Sequence, residues 1–172
     1  FVPGASASHI TQYAVQRDPS DIAVGDLDCG GDNDIVSASA MGHFITTLYN
    51  DGSGGFADRQ DVFISNNNSQ RAGFVDTANG VDVEVGDING DGTNDIIYYQ
   101  ENIRFVGETF VRPGNLTVLW GDCNGAVNTW SDTAITISNP YHISMEVGDI
   151  NDDGNDDIVL VSIDGTFSNQ YI

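Results

Sequence analysis

With 172 residues, the chain is long enough for one domain with a fair core and too short for two large ones. Its 26 acidic residues stand against 5 arginines and no lysine, a formal charge of −21, which excludes a phosphate-tracking nucleic-acid binder and argues against docking on anionic lipid. No run of about 18 apolar residues occurs, so no membrane-spanning helix is expected, nor a signal peptide within these residues.

The apolar residues include 16 Val and 16 Ile against only 5 Leu, beside 20 Gly and 16 Asn. β-Branched side chains suit a pleated sheet, and Gly and Asn suit tight turns, so the predicted fold is all-β. In chain order, residues 1–19 read as the end of a preceding unit, with its outer strand over 8–16. The unit 20–79 opens with a strand at 21–24 and runs through an acidic window. It continues with strands at 35–38, 44–49 and 61–65, with a glycine-rich hairpin loop at 50–55. The unit 80–141 repeats this with strands at 81–85, 96–99, 116–120 and 134–138, a loop at 121–125 and an expansion at 101–114. The unit 142–172 stops half built, after a strand at 158–163. Four antiparallel strands per ~60 residues describe one blade of a β-propeller. Propellers close with about 4 to 8 blades, and roughly three are present here. The expectation is therefore a segment of a larger propeller, with copies closing one ring or an open stack as alternatives.

The acids are lopsided, with 22 Asp and 4 Glu, and 12 of the Asp fall in three nine-residue windows. A general solvated surface would spread them out. The windows are Asp26 to Asp34, Asp87 to Asp95 and Asp149 to Asp157, and their starts lie 61 and 62 residues apart. Each follows Val-Gly (Val24-Gly25, Val85-Gly86, Val147-Gly148) and precedes two β-branched residues. Side-chain oxygens hold positions 1, 3, 5 and 9 in the second window (Asp87, Asn89, Asp91, Asp95) and the third (Asp149, Asn151, Asp153, Asp157). Position 6 is Gly in all three, and position 7 (Asp32, Thr93, Asn155) would offer its backbone carbonyl. Five protein oxygens and one or two waters reach the 6 to 8 ligands that Ca²⁺ takes, whereas Mg²⁺ demands a tighter octahedron. No Cys/His cluster competes for zinc.

The first window keeps Asp26, Asp28 and Asp34 but has Gly30 at position 5, so a weaker or differently shaped site is expected there, with Asp32 or water filling in. Two carboxylates 4 Å apart repel by about 1 kcal/mol in water and about 4 kcal/mol at an effective dielectric near 20. A divalent ion among them removes that cost. Up to three calcium ions are thus expected.

The Asp-x-Asp/Asn-x-Asp-Gly-x-x-Asp-apolar loop between strands, with the Leu-Tyr-Asn-Asp-Gly-Ser-Gly-Gly-Phe hairpin at 48–56, resembles the FG-GAP/VCBS repeats of integrin α-subunit-type β-propellers. The resemblance covers roughly residues 20–172 and is more specific in the loops than in the strands. It implies a secreted or cell-surface propeller whose calcium ions brace the blades, with ligands mostly meeting the opposite face. An EF-hand does not fit, because position 12 is Ser37, Tyr98 or Leu160, inside strands, where that motif needs Glu. Thrombospondin-like calcium wires pack such loops closely, without long strand patterns between them.

Weaker signals remain. Cys29 and Cys123 fall in loops that share one face of an up-and-down blade, so a disulfide between blades and two separately partnered thiols both fit. Asn67 and Asn115 head glycosylation sequons, which modestly favour secretion. His9, His43 and His142 accompany no nucleophile motif, and no enzyme activity is expected. Outside the windows only Asp82, Glu84 and Glu146 would serve a catalytic cleft, and their places before the loops suit strand pairing as well. The expansion carries Arg104, Phe105, Phe110 and Arg112, near Arg71 and Phe74, residue types that a contact surface uses; a merely packed insertion is the competing reading.

Together these signals predict an extracellular calcium-binding module for adhesion or recognition of protein or glycan. The alternatives are an architectural repeat that assembles with copies of itself, or the propeller part of a carbohydrate-active enzyme. No nucleic acid and no membrane insertion are expected.

Overall fold

The computed structural model describes residues 11–40, 43–64, 81–101, 104–106, 109–111, 114–125, 129–135, 140–164 and 170–171. The first sheet is an antiparallel meander of β1 (Pro19–Gly25), β2 (Asp34–Ser39), β3 (Phe44–Tyr49) and β4 (Asp58–Phe63). The second repeats it with β5 (Val81–Gly86), β6 (Asp95–Glu101), β9 (Gly114–Trp120) and β10 (Thr129–Ile135). Between β6 and β9 lies a two-stranded ribbon, β7 (Arg104–Val106) and β8 (Thr109–Val111). A third sheet holds β11 (Pro140–Gly148), β12 (Asp157–Asp164) and β13 (Gln170–Tyr171). No helix occurs among the described residues. The all-β expectation and the acidic windows between first and second strands both hold.

The central strand β6 is apolar on both faces because sheets cover it on both sides. In β6, Ile96 and Tyr98 pack with Val36, Ala38, Ile45 and Val83 in the joint between first and second sheets. Ile97 and Tyr99, on the other face of β6, pack with Met145, Val147, Ile158 and Leu160 in the joint with the third. The first strands lie side by side, β1 against β5 and β5 against β11. Hydrogen bonds tie them. Val83 N donates to Asp21 Oδ2 (2.8 Å), and Met145 N to Asp82 Oδ2 (2.6 Å), the same place in each unit.

Three expectations need correction. The fourth strands begin earlier than predicted, at Asp58 rather than 61 and at Thr129 rather than 134. β4 is an exposed edge strand rich in charge, so no apolar run announces it; its start is set by pairing of Asp58 with Tyr49. Of the strand expected over 8–16, residues 8–10 lie outside the described residues, and 11–16 form no strand. That segment instead follows β3 and β4 of its own unit through side chains: Gln16 Nε2 donates to Asp61 Oδ2 (3.0 Å), and Arg59 Nη1 to Ala14 O (2.8 Å). The expansion at 101–114 is a paired ribbon rather than an open loop.

Candidate metal centres

Each acidic window is wound by the same bonds. The position-1 carboxylate accepts from the amide of the position-6 glycine: Gly31 to Asp26 (2.9 Å), Gly92 to Asp87 (2.8 Å) and Gly154 to Asp149 (2.9 Å). The position-9 carboxylate accepts from the position-2 amide: Leu27 to Asp34 (2.8 Å), Ile88 to Asp95 (3.2 Å) and Ile150 to Asp157 (3.2 Å). A left-handed backbone at position 6 turns the chain back on itself, with φ of 89°, 85° and 91° at Gly31, Gly92 and Gly154. Position 4 is left-handed as well, at Cys29, Gly90 and Asp152. Sequence reasoning found the first of these turns and missed the second.

Asp34 and Asp95 are fully buried at the start of second strands. Their remaining oxygens accept from the neighbouring hairpin, Asn50 N to Asp34 Oδ1 (2.8 Å) and Gly121 N to Asp95 Oδ1 (2.9 Å). Burial pushes both carboxyls above the usual range, against the pull of these amides. A charge held there calls for a positive neighbour.

In the first loop Asp26, Asp28 and Asp34 each offer an oxygen, all within 4.8 Å of one another. Asp26 Oδ1 is buried and has no hydrogen-bond partner. An unmatched buried acceptor on a residue of a three-carboxylate cluster suits a hard cation that takes oxygen ligands. Asp32 does not join the three; its carboxylate lies over Gly52 of the adjacent hairpin.

The other two loops turn their middle ligands onto themselves. Asp91 Oδ1 accepts from Thr93 N (2.9 Å) and from the Thr93 hydroxyl, while Asn89 Nδ2 donates to Asp91 Oδ2 (2.9 Å). Asp153 Oδ1 accepts from Asn155 N (2.9 Å) and Asn155 Nδ2 (3.0 Å). These bonds hold Asp91 and Asp153 below the usual carboxylate range: the Thr93 hydroxyl leads at Asp91, and the Asn155 amide at Asp153. Among the described residues only the first loop therefore brings three carboxylates together, although it lacks the position-5 ligand.

A covalent brace stands beside that loop. Cys29 is bonded to Cys123 across 94 residues, joining the first acidic loop to the β9–β10 hairpin of the next sheet. Next to it, the Tyr49 hydroxyl donates to Gly125 O and stands 3.0 Å from Gln60 Oε1. A disulfide persists in oxidising compartments. No helix among the described residues is long and apolar enough to cross a membrane.

The catalytic candidates lie on first strands, Asp82 and Glu84 on β5 and Glu146 on β11. Asp82 accepts from Met145 N (2.6 Å), with the Asp21 carboxyl beside it. Burial and Asp21 push Asp82 up to about 7. Burial also raises Glu84, with Glu146 and Asp21 adding repulsion. Of the predicted contact residues, Arg104, Phe105 and Phe110 lie on the β7–β8 ribbon, while Arg71, Phe74 and Arg112 lie outside the described residues, as does Asn67. Asn115 stands one residue inside β9, half-buried and paired with Gln100 and Ala134. A scan against protein-family models and a search of curated proteins returned no match for this chain.

Proposed function

We propose that the chain is a calcium-binding module of extracellular β-propeller blades, resembling FG-GAP/VCBS repeats, that serves adhesion or recognition of a protein or glycan. The observation that carries this reading is the first acidic loop, where Asp26, Asp28 and Asp34 each bring an oxygen within 4.8 Å of the others and Asp26 Oδ1 lies buried without a hydrogen-bond partner. The same winding of the other two loops supports it, as positions 1, 2, 6 and 9 are bonded alike in all three. The Cys29–Cys123 bridge suits the oxidising surroundings that such a module meets. In this reading the ions brace successive blades, the opposite face with its ribbon meets the ligand, and no chemistry is performed.

Thermal unfolding in calcium and in chelator tests it. An ion at about 100 times its dissociation constant adds about 2.7 kcal/mol per site. A chain of this size gains about 2–4 °C per kcal/mol. Calcium should therefore raise the melting temperature by about 5–10 °C for one site, and Asp28→Asn should remove a share of that gain. Equal melting temperatures in excess calcium and excess chelator would end the proposal.

The architectural reading has an observation of its own. Both outermost sheets end on uncovered apolar side chains, Ile22 and Val24 at one side and Ile150 and Val161 at the other.

A further inference from the structure

We propose that the chain associates head to tail with a second copy of itself, the open face of the third sheet receiving the open face of the first sheet of the next molecule. The inference rests on how the sheets pack, not on the calcium reading, and it gives the architectural reading its partner.

The two joints inside the molecule are built from the same parts. In each, a valine of the following sheet takes the space that a Cβ on the preceding sheet's glycine would fill: Val85 over Gly25, Val147 over Gly86. In each, position 8 of the following loop clamps position 1 of the preceding one. Asn94 Nδ2 donates to Asp26 O (2.9 Å), and Asp87 N donates to Asp156 Oδ2 (2.9 Å). In each, a strand amide of the following sheet donates to a carboxylate of the preceding one, as Val83 does to Asp21 and Met145 to Asp82. Position 2 of the preceding loop closes the joint: Leu27 is buried in the first core and Ile88 packs into the second.

The outer faces carry the unmatched halves of this joint. On the first sheet Val24 and Ile22, the counterparts of Val85 and Val83, are 60% and 67% exposed. On the third sheet Gly148, the counterpart of Gly25 and Gly86, has open space where its Cβ would be. Beside it Ile150, the counterpart of Leu27, is 64% exposed, and Val161 is 43% exposed. Four of the six exposed large apolar side chains among the described residues thus lie on these two faces, a knob without a hole and a hole without a knob. Asn33 is placed to clamp Asp149 O, and Ser144 stands where Asp21 and Asp82 accept, so its hydroxyl can take the Ile22 amide. A partner of other chemistry would need to reproduce both the valine and the glycine; a second copy brings them already. The contact is heterologous, so repetition closes a ring or runs into a filament.

Sedimentation velocity of the full chain, from micromolar to submillimolar in calcium and moderate salt, tests the proposal. The average mass should rise above 18.4 kDa with concentration, more so as salt screens the net charge of −21. Val24→Arg and Gly148→Val should each hold the chain at monomer mass. Mixed, they should form a species of twofold mass and nothing larger, because each variant keeps the face that the other has lost. Circular dichroism melts check that both variants are folded. Wild-type chain that stays monomeric throughout overturns the proposal. Two folded variants that assemble as the wild type does, or that fail to pair with each other, overturn it as well.

Discussion

Three glycines at position 6 carry the acidic loops through a backbone conformation that L side chains avoid. At Gly92 and Gly154 a Cβ would meet no atom within 4 Å, so replacing either by alanine probes the backbone alone. Left-handed geometry costs a non-glycine residue about 1–2 kcal/mol. Gly92→Ala or Gly154→Ala should therefore lower the melting temperature by about 2–8 °C in chelator. An unchanged melting temperature would mean that the loop has another conformation. Position 4 shows the limit of reading such turns from sequence. Gly90 advertises its φ of 72°, but Cys29 and Asp152 adopt 59° without any such mark. Asp tolerates this region through local hydrogen bonds. Cys29 is also tied by its bond to Cys123, a residue itself at φ 57°, and nothing in the spacing of two cysteines says so.

At the scale of strands, the Val-Gly pair ending each first strand is a packing device between sheets. Gly86→Ala would drive a methyl into Val147 and the Asp156 carboxylate, whereas Gly148→Ala meets nothing. Overpacking of this kind costs about 1–3 kcal/mol. Urea denaturation should show a lower midpoint for Gly86→Ala and an unchanged one for Gly148→Ala; equal midpoints would deny that the second joint is as close as described. The pair was visible in the sequence as a repeat, yet its purpose was not, because which sheet faces which is set by packing between units. Inner strands were legible for the opposite reason. Ile96-Ile97-Tyr98-Tyr99 is apolar throughout, as burial on both faces requires. β4 was misplaced because its residues alternate charge with little apolar content, and the pairing of Asp58 with Tyr49 follows from the hairpin rather than from composition. Within the candidate site, the loop positions could be read from spacing alone. That the incomplete first loop would gather its carboxylates, while the two fuller ones bond to themselves, depends on Thr93, Asn89 and Asn155 offering nearer donors.

Across the whole molecule, acidic groups outside the loops converge where the first strands adjoin. Asp21 on β1, Asp82 and Glu84 on β5 and Glu146 on β11 act on one another there. Burial and the neighbouring Asp21 carboxyl push Asp82 from 3.8 to about 7, so the folded chain holds a proton that the unfolded chain has released above about pH 4. The stability linked to that proton is full below the unfolded value and is lost as pH rises through about 7. Glu84, also raised by burial, acts with the same sign. Melting temperature in chelator, where competition between protons and calcium plays no part, should fall as pH rises from about 5 to about 8. Asp82→Asn keeps an oxygen to accept from Met145 N while removing the titration, so the fall should be shallower in that variant. Asp21→Asn should flatten it too, because a carboxyl that helps to raise Asp82 is gone. If both variants fall as steeply as the wild type, the proton resides elsewhere and the meeting of first strands is more open to water than the burial of Asp82 implies.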